Sequence, residues 1–141
     1  MKKKMKVLVG LCLVVALAFG GVGRHAYAAN YVYVRDGNAR NHGAECVLSI
    51  GATSGSAHTA SVGTTYGYCS VSASFSWYGA NDYLLYSNGN SAGGMHGAEV
   101  TISSVVDTDM LNYALANSNH IIRETITGKS NDASITEVWS R

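Results

Sequence analysis

From Cys69 to Trp77 the chain reads Cys-Ser-Val-Ser-Ala-Ser-Phe-Ser-Trp, so that every odd position is apolar and every even position is serine. Side chains of a strand alternate between two faces, whereas on a helix the same residues would scatter apolar and polar groups all round. The stretch is therefore expected to be a half-buried β-strand with Val71, Phe75 and Trp77 in the core and the serines in water. Residues 44–51 repeat the pattern through Cys46, Leu48 and Ile50. Weaker strand signals lie at 31–34, 58–62, 83–86, 99–105, 120–127 and 133–139.

Turn-rich clusters separate these segments: 51–56, Asn88-Gly89-Asn90 with Gly93-Gly94, and 128–132 are places where a chain can reverse. Residues 108–116 are the one helix candidate, with Asp107 as its cap, and a strand through Tyr113 and Leu115 is the other reading; the expectation is a short helix or turn followed by a strand. With 141 residues, 13% charged and 47% hydrophobic, the chain suits one domain and departs from both coiled-coil and disordered compositions. The expected fold is all-β, a single antiparallel sandwich of immunoglobulin-like or jelly-roll-like type.

The N-terminus carries a targeting signal. Lys2, Lys3, Lys4 and Lys6 precede an apolar run from Val7 to Gly21, which ends at the small residues of Ala26-Tyr27-Ala28. This is the layout of a cleaved signal peptide, and the run is shorter than the roughly 20 residues of a spanning helix. The expected organisation is a signal peptide at 1–28, an N-terminal segment with a short strand at 29–43, and the sandwich at 44–141. Removing residues 1–28 leaves five basic residues, Arg35, Arg40, Arg123, Lys129 and Arg141, against nine acidic ones, a net charge near −4. Nucleic acids and anionic membranes attract clustered cations, so neither is an expected partner, and no stable membrane insertion is expected after cleavage. The sequence has no Pro and hence no Leu-Pro wall-sorting motif, which favours a secreted, extracellular protein.

Cleavage also removes Cys12 and leaves Cys46 and Cys69, both on the apolar faces of their strands. Two cysteines in a small exported domain read most simply as one disulfide. Two buried thiols, or a reactive one, are the other readings.

No constellation points to catalysis. There is no Gly-x-Ser-x-Gly elbow, no phosphate-binding loop and no opposed carboxylate pair singled out among Glu45, Glu99, Glu124 and Glu137. Triads are recognised by geometry, not by residue types, and His42, His58, His96 and His120 are expected to be solvated strand-end or turn residues. The segments His42-Gly43-Ala44-Glu45 and His96-Gly97-Ala98-Glu99 echo one another, as pseudo-symmetric strands in two sheets or by coincidence of composition. Their spacing lacks the HExxH pattern of a zinc site. No metal or cofactor is expected.

The stretches Glu-Cys-Val-Leu-Ser-Ile, Tyr-Cys-Ser-Val-Ser-Ala-Ser-Phe-Ser-Trp-Tyr, Tyr-Ser-Asn-Gly-Asn and Ser-Ile-Thr-Glu-Val-Trp-Ser together resemble small secreted, Ser-, Thr- and Tyr-rich β proteins of Gram-positive bacteria. The resemblance covers roughly residues 44–140. It implies a compact exported β-sandwich and brings no catalytic residues with it. A fainter likeness is to the lactococcin type of secreted β-rich bacteriocin, from which this chain departs in length and in lacking a Trp- and His-rich opening.

The expected function is a secreted, non-enzymatic interaction or surface-binding module whose partner is a protein or a glycan. A bacteriocin-like antagonist is the first alternative and a small secreted hydrolase the second. The contact patch is expected at Tyr78, Tyr83 and Tyr86, which cluster in sequence around the turn from Gly79 to Asp82. Tyrosines near a loop offer area and a hydroxyl at low entropic cost.

Overall fold

The computed structural model describes residues 25–35, 41–62, 67–125 and 127–141. The signal peptide expected at 1–28 falls almost entirely outside them. Eight strands follow one another: β1 (Ala26–Arg35), β2 (Asn41–Ile50), β3 (Ser54–Val62), β4 (Gly67–Tyr78), β5 (Leu84–Met95), β6 (Gly97–Ser103), β7 (Tyr113–Glu124) and β8 (Ser130–Ser140). They form two four-stranded antiparallel sheets, the first in the order β1-β2-β3-β6 and the second in the order β5-β4-β7-β8. β3 pairs with β6, while the hairpin β4–β5 between them in sequence lies in the other sheet. The segment 29–43 supplies most of β1 and the start of β2.

The inward faces of both sheets share one apolar core. Leu48 and Ile50 come from β2, Val71, Phe75 and Trp77 from β4, and Ile122 from β7, all of them buried. The serine alternation thus places its two faces as the pattern requires: on β4 the odd positions are buried and the even ones face outward. The indole N–H of Trp77 donates to the Gly51 carbonyl at 2.9 Å, tying β4 to the turn after β2.

Between β4 and β5 the chain turns through a short 3-10 segment, Ala80–Asp82, where Asn81 and Asp82 adopt positive φ of 55° and 59°. Asn and Asp tolerate this left-handed region better than other side chains. A second 3-10 turn, Thr108–Met110, precedes β7 and is capped by Asp107, whose carboxylate accepts from the Asp109 N–H at 3.0 Å. A capped turn followed by a strand is found as expected, but the turn stops at Met110, and Tyr113 to Ala116 of the helix candidate belong to β7.

Two expectations are corrected here. The Asn88-Gly89-Asn90 and Gly93-Gly94 clusters do not reverse the chain but lie inside β5, which pairs with β4 from Leu84 to Met95. The glycines serve close approach: a Cβ on Gly89 would lie 2.9 Å from the Ala73 carbonyl oxygen, and one on Gly93 would collide with the Tyr68 ring.

The second correction is the disulfide. Cys46 and Cys69 are both buried and both free. Cys46 sits on β2, between Asn30 and Thr59, in the first sheet, whereas Cys69 sits on β4, between Gly94 and Ile122, in the second. Facing sheets lie about 10 Å apart, while a bridge needs Cα atoms within about 7 Å, so pointing inward does not bring two cysteines together. Burial above all, with smaller electrostatic effects of Cys69 across the core and of Glu45, pushes the Cys46 thiol up to about 12, and burial also raises that of Cys69. A thiol held protonated is a poor nucleophile. Alkylation at pH 8 is therefore expected to label neither Cys46 nor Cys69 in the native protein and both after denaturation without reductant, read by intact mass.

Candidate functional site

Three places in the fold gather chemistry: a polar chain in the core, the tyrosines, and the outer face of the second sheet.

His120, expected at the surface, is fully buried. Its position on β7 shares the inward face with Ala114, Ala116, Ser118 and Ile122. Thr59 Oγ lies 2.8 Å from Nδ1 and Ser118 Oγ lies 2.7 Å from Nε2, and the Thr59 hydroxyl also reaches the Ser70 carbonyl at 3.3 Å. Burial, with a smaller effect from His58, lowers the imidazole to about 4. A neutral imidazole has one donor and one acceptor nitrogen, which the two hydroxyls satisfy. The chain has the hydroxyl–imidazole–hydroxyl order of a nucleophilic relay, but it is sealed between the sheets and serves to join β3 to β7.

The three tyrosines named from sequence do not share a face. Tyr78 points outward from β4 and stacks on Tyr113 of β7, with ring centroids 4.7 Å apart and planes at 12°. Tyr86 is opposite Trp77 and packs against it at 5.7 Å on the inward side. Tyr83 stands in the turn, 70% exposed. Burial and the hydrogen bond that Tyr113 donates to Asp82 raise the Tyr113 phenol above its ordinary range. Other tyrosines are more open than Tyr78 and Tyr86: Tyr31 and Tyr33 project from the outward face of β1, and Tyr68 from that of β4.

The His-Gly-Ala-Glu echo lies within one sheet, not in two. β2 and β6 flank β3, and Ala60 of β3 is opposite both Glu45 and Gly97, so the copies run side by side two residues out of step. Among the described residues no group of three or more His, Cys, Asp or Glu side chains is placed to hold a metal ion.

All four strands of the second sheet contribute to a depression on its outer face. Register places Gly89, Ser74, Asn117 and Thr136 in one row across the strands, and Ser91, Ser72, Asn119 and Ser134 in the next. These residues line a shallow trough of about 760 Å³. It runs into a second depression of about 400 Å³ through the shared Ser72, Ser91 and Asn119, ending at Tyr68 and Ile121. No residue lining either depression is charged. Thr136 donates to the Asn117 amide oxygen at 2.8 Å, and Ser76 and Ser87 share a hydrogen bond of 2.9 Å beside the trough. The side chains of Ser72, Ser74, Ser91, Asn119 and Ser134 make no hydrogen bond among the described residues. Five polar groups are thus presented outward, with donors and acceptors both available. Sequence reasoning saw these serines only as a wet face. Their meeting with Asn117, Asn119 and Ser134 depends on the pairing of Ser74 with Asn117 and of Ser72 with Asn119, which joins distant parts of the chain, and on that of Asn119 with Ser134.

Comparison of the chain with protein-family models, with curated proteins and with solved structures yields no match.

Proposed function

We propose that the protein is an exported, non-enzymatic interaction module that recognises its partner through the outer face of the second sheet. The observation that carries this reading is the uncharged trough of Ser72, Ser74, Ser91, Asn117, Asn119 and Ser134, a surface assembled by four strands and rich in uncommitted hydrogen-bonding groups. A rigid sheet holds such groups at fixed spacing, which favours recognition over an unstructured polar surface. The hydroxyl–imidazole pair of Ser118 and His120 is enclosed in the core, which supports binding over catalysis. Export rests on the lysine-rich start, the apolar run and the Ala26-Tyr27-Ala28 site. Cleavage after Ala28 would leave β1 paired with β2 from Ala29 opposite Val47 to Arg35 opposite Asn41.

The test uses isotope-labelled protein recovered from the medium, whose mass should place its N-terminus at Ala29, titrated with solubilised cell-envelope material. Amide shifts are expected at Ser72, Ser74, Ser91, Asn117 and Asn119. Shifts confined to the first sheet, or turnover of ester, peptide or glycoside substrates, would overturn the reading.

A further inference from the structure

We propose that the trough binds a neutral polysaccharide chain lying along β4, an assignment that rests on the outer face of the second sheet being the recognition surface. Three observations select this ligand class. The first is charge: no lining residue is ionised. A phosphate-bearing or polyanionic ligand needs Lys or Arg to replace its counterions; the lining offers none, and beyond it at the Tyr68 end Arg123, opposite Tyr68, is accompanied by Asp132, opposite Ile121. The second is the size of the side chains. Protein interfaces concentrate energy in central aromatic or aliphatic anchors, whereas the centre here is Ser72, Ser74 and Asn119 beside Gly89. Small hydroxyls and amides leave room for a ligand that brings its own bulk and its own hydroxyls. Each asparagine amide presents a donor and an acceptor together, which matches a pair of adjacent sugar hydroxyls.

The third is the placement of aromatic rings at both ends. Tyr68 lies across the sheet surface over Gly93. It stands at one end of β4, and the stacked pair Tyr78–Tyr113 stands at the other. Tyr78 lies ten strand positions beyond Tyr68, a span on the order of 33 Å at strand rise. Flat rings at the two ends of a hydroxyl-lined path suit the apolar C–H faces of sugar rings, with hydroxyl contacts between them. The arrangement fits an extended chain better than a compact small molecule, because the trough is shallow and continues into the depression at Tyr68.

Isothermal titration of the secreted protein with soluble β-glucan, xylan and mannan fragments, and with a polyuronate as the charged comparison, tests the assignment. One or more neutral polymers are expected to bind with a Kd between about 10 µM and 1 mM, as a few neutral hydrogen bonds and ring contacts provide. Affinity should change less than about twofold between roughly 0.05 and 0.5 M salt, since no ion pair is involved. Ser72→Tyr fills the trough at a site where strands accept aromatic residues, and it should weaken binding about tenfold or more with an unchanged melting temperature. Tyr68→Ala should weaken it about tenfold by removing one end platform.

Unchanged affinity in folded Ser72→Tyr protein, preference for the polyuronate, or absence of binding to every neutral polymer would overturn the assignment. The two readings separate cleanly. If no polysaccharide binds but a protease-sensitive envelope component shifts the trough amides, the ligand class is wrong and the recognition surface stands. If nothing perturbs those amides, both fall.

Discussion

Trp77→Ala is expected to bring the protein to the edge of unfolding at 25 °C. The indole is fully buried, packs against Phe75 at 6.3 Å and Tyr86 at 5.7 Å, and donates its N–H to the Gly51 carbonyl. Truncating a core Trp costs about 3–5 kcal/mol through lost burial and the cavity left behind, and orphaning a buried carbonyl costs about 1–3 kcal/mol more. Against a total stability of about 5–15 kcal/mol, that is a large share. Trp139 provides the contrast. Its indole nitrogen is buried and makes no hydrogen bond among the described residues, so Trp139→Phe removes a donor without separating a pair. Urea denaturation should show a large fall in midpoint for Trp77→Ala, a smaller fall for Trp77→Phe, and a neutral or raised midpoint for Trp139→Phe. A Trp77→Ala midpoint within error of the wild type would refute the core assignment.

Acid should destabilise the protein over a defined window because of His120. In the folded state the buried imidazole is lowered to about 4 from 6.5. Between those values the unfolded chain binds a proton that the folded one refuses, so stability rises with pH there. The contribution is fully present above 6.5, is lost as pH falls to about 4, and is flat below that. The gap between the two values corresponds to about 3 kcal/mol. Unfolding midpoints measured from pH 7.5 to 4 should decline accordingly, and His120→Gln should flatten that decline while lowering stability at pH 7.5, since Thr59 and Ser118 lose part of their pairing. A wild-type profile flat from pH 7 to 4 would show that the imidazole is accessible to protons in the folded state.

The first prediction was legible from the alternation that starts at Cys69, and the second was not. His96 stands between Met95 and Gly97 and His120 between Asn119 and Ile121, and neither setting by itself marks its histidine as buried. His96 lies at the corner between β5 and β6 with φ of 71°, whereas His120 lies inside β7 on its inward face. The inward face of β7 carries Ser118 and His120 among its alanines, so its alternation is weaker than that of β4. Its burial is set by the sheet packed against it. The same limit applies to the tyrosines. Tyr78 and Tyr86 are close in sequence around one turn, yet the pairing of Trp77 with Tyr86 puts Tyr86 inward and leaves Tyr78 outward.

The sequence by itself determined the all-β class, the inward face of β4, the turn at 79–82 and the capped turn at Asp107, because strand alternation and turn chemistry act over a few residues. Only the tertiary structure decided that Gly89 and Gly93 continue a strand, that Cys46 and Cys69 stay apart, that His120 is buried, and that the outer rows of Ser72 and Ser74 join Asn117 and Asn119 in one trough. A period of two tells each side chain which way to face, but register and sheet partner come from pairings across long stretches of chain. Those depend on the free energy of the whole packed structure, which no short window of sequence contains.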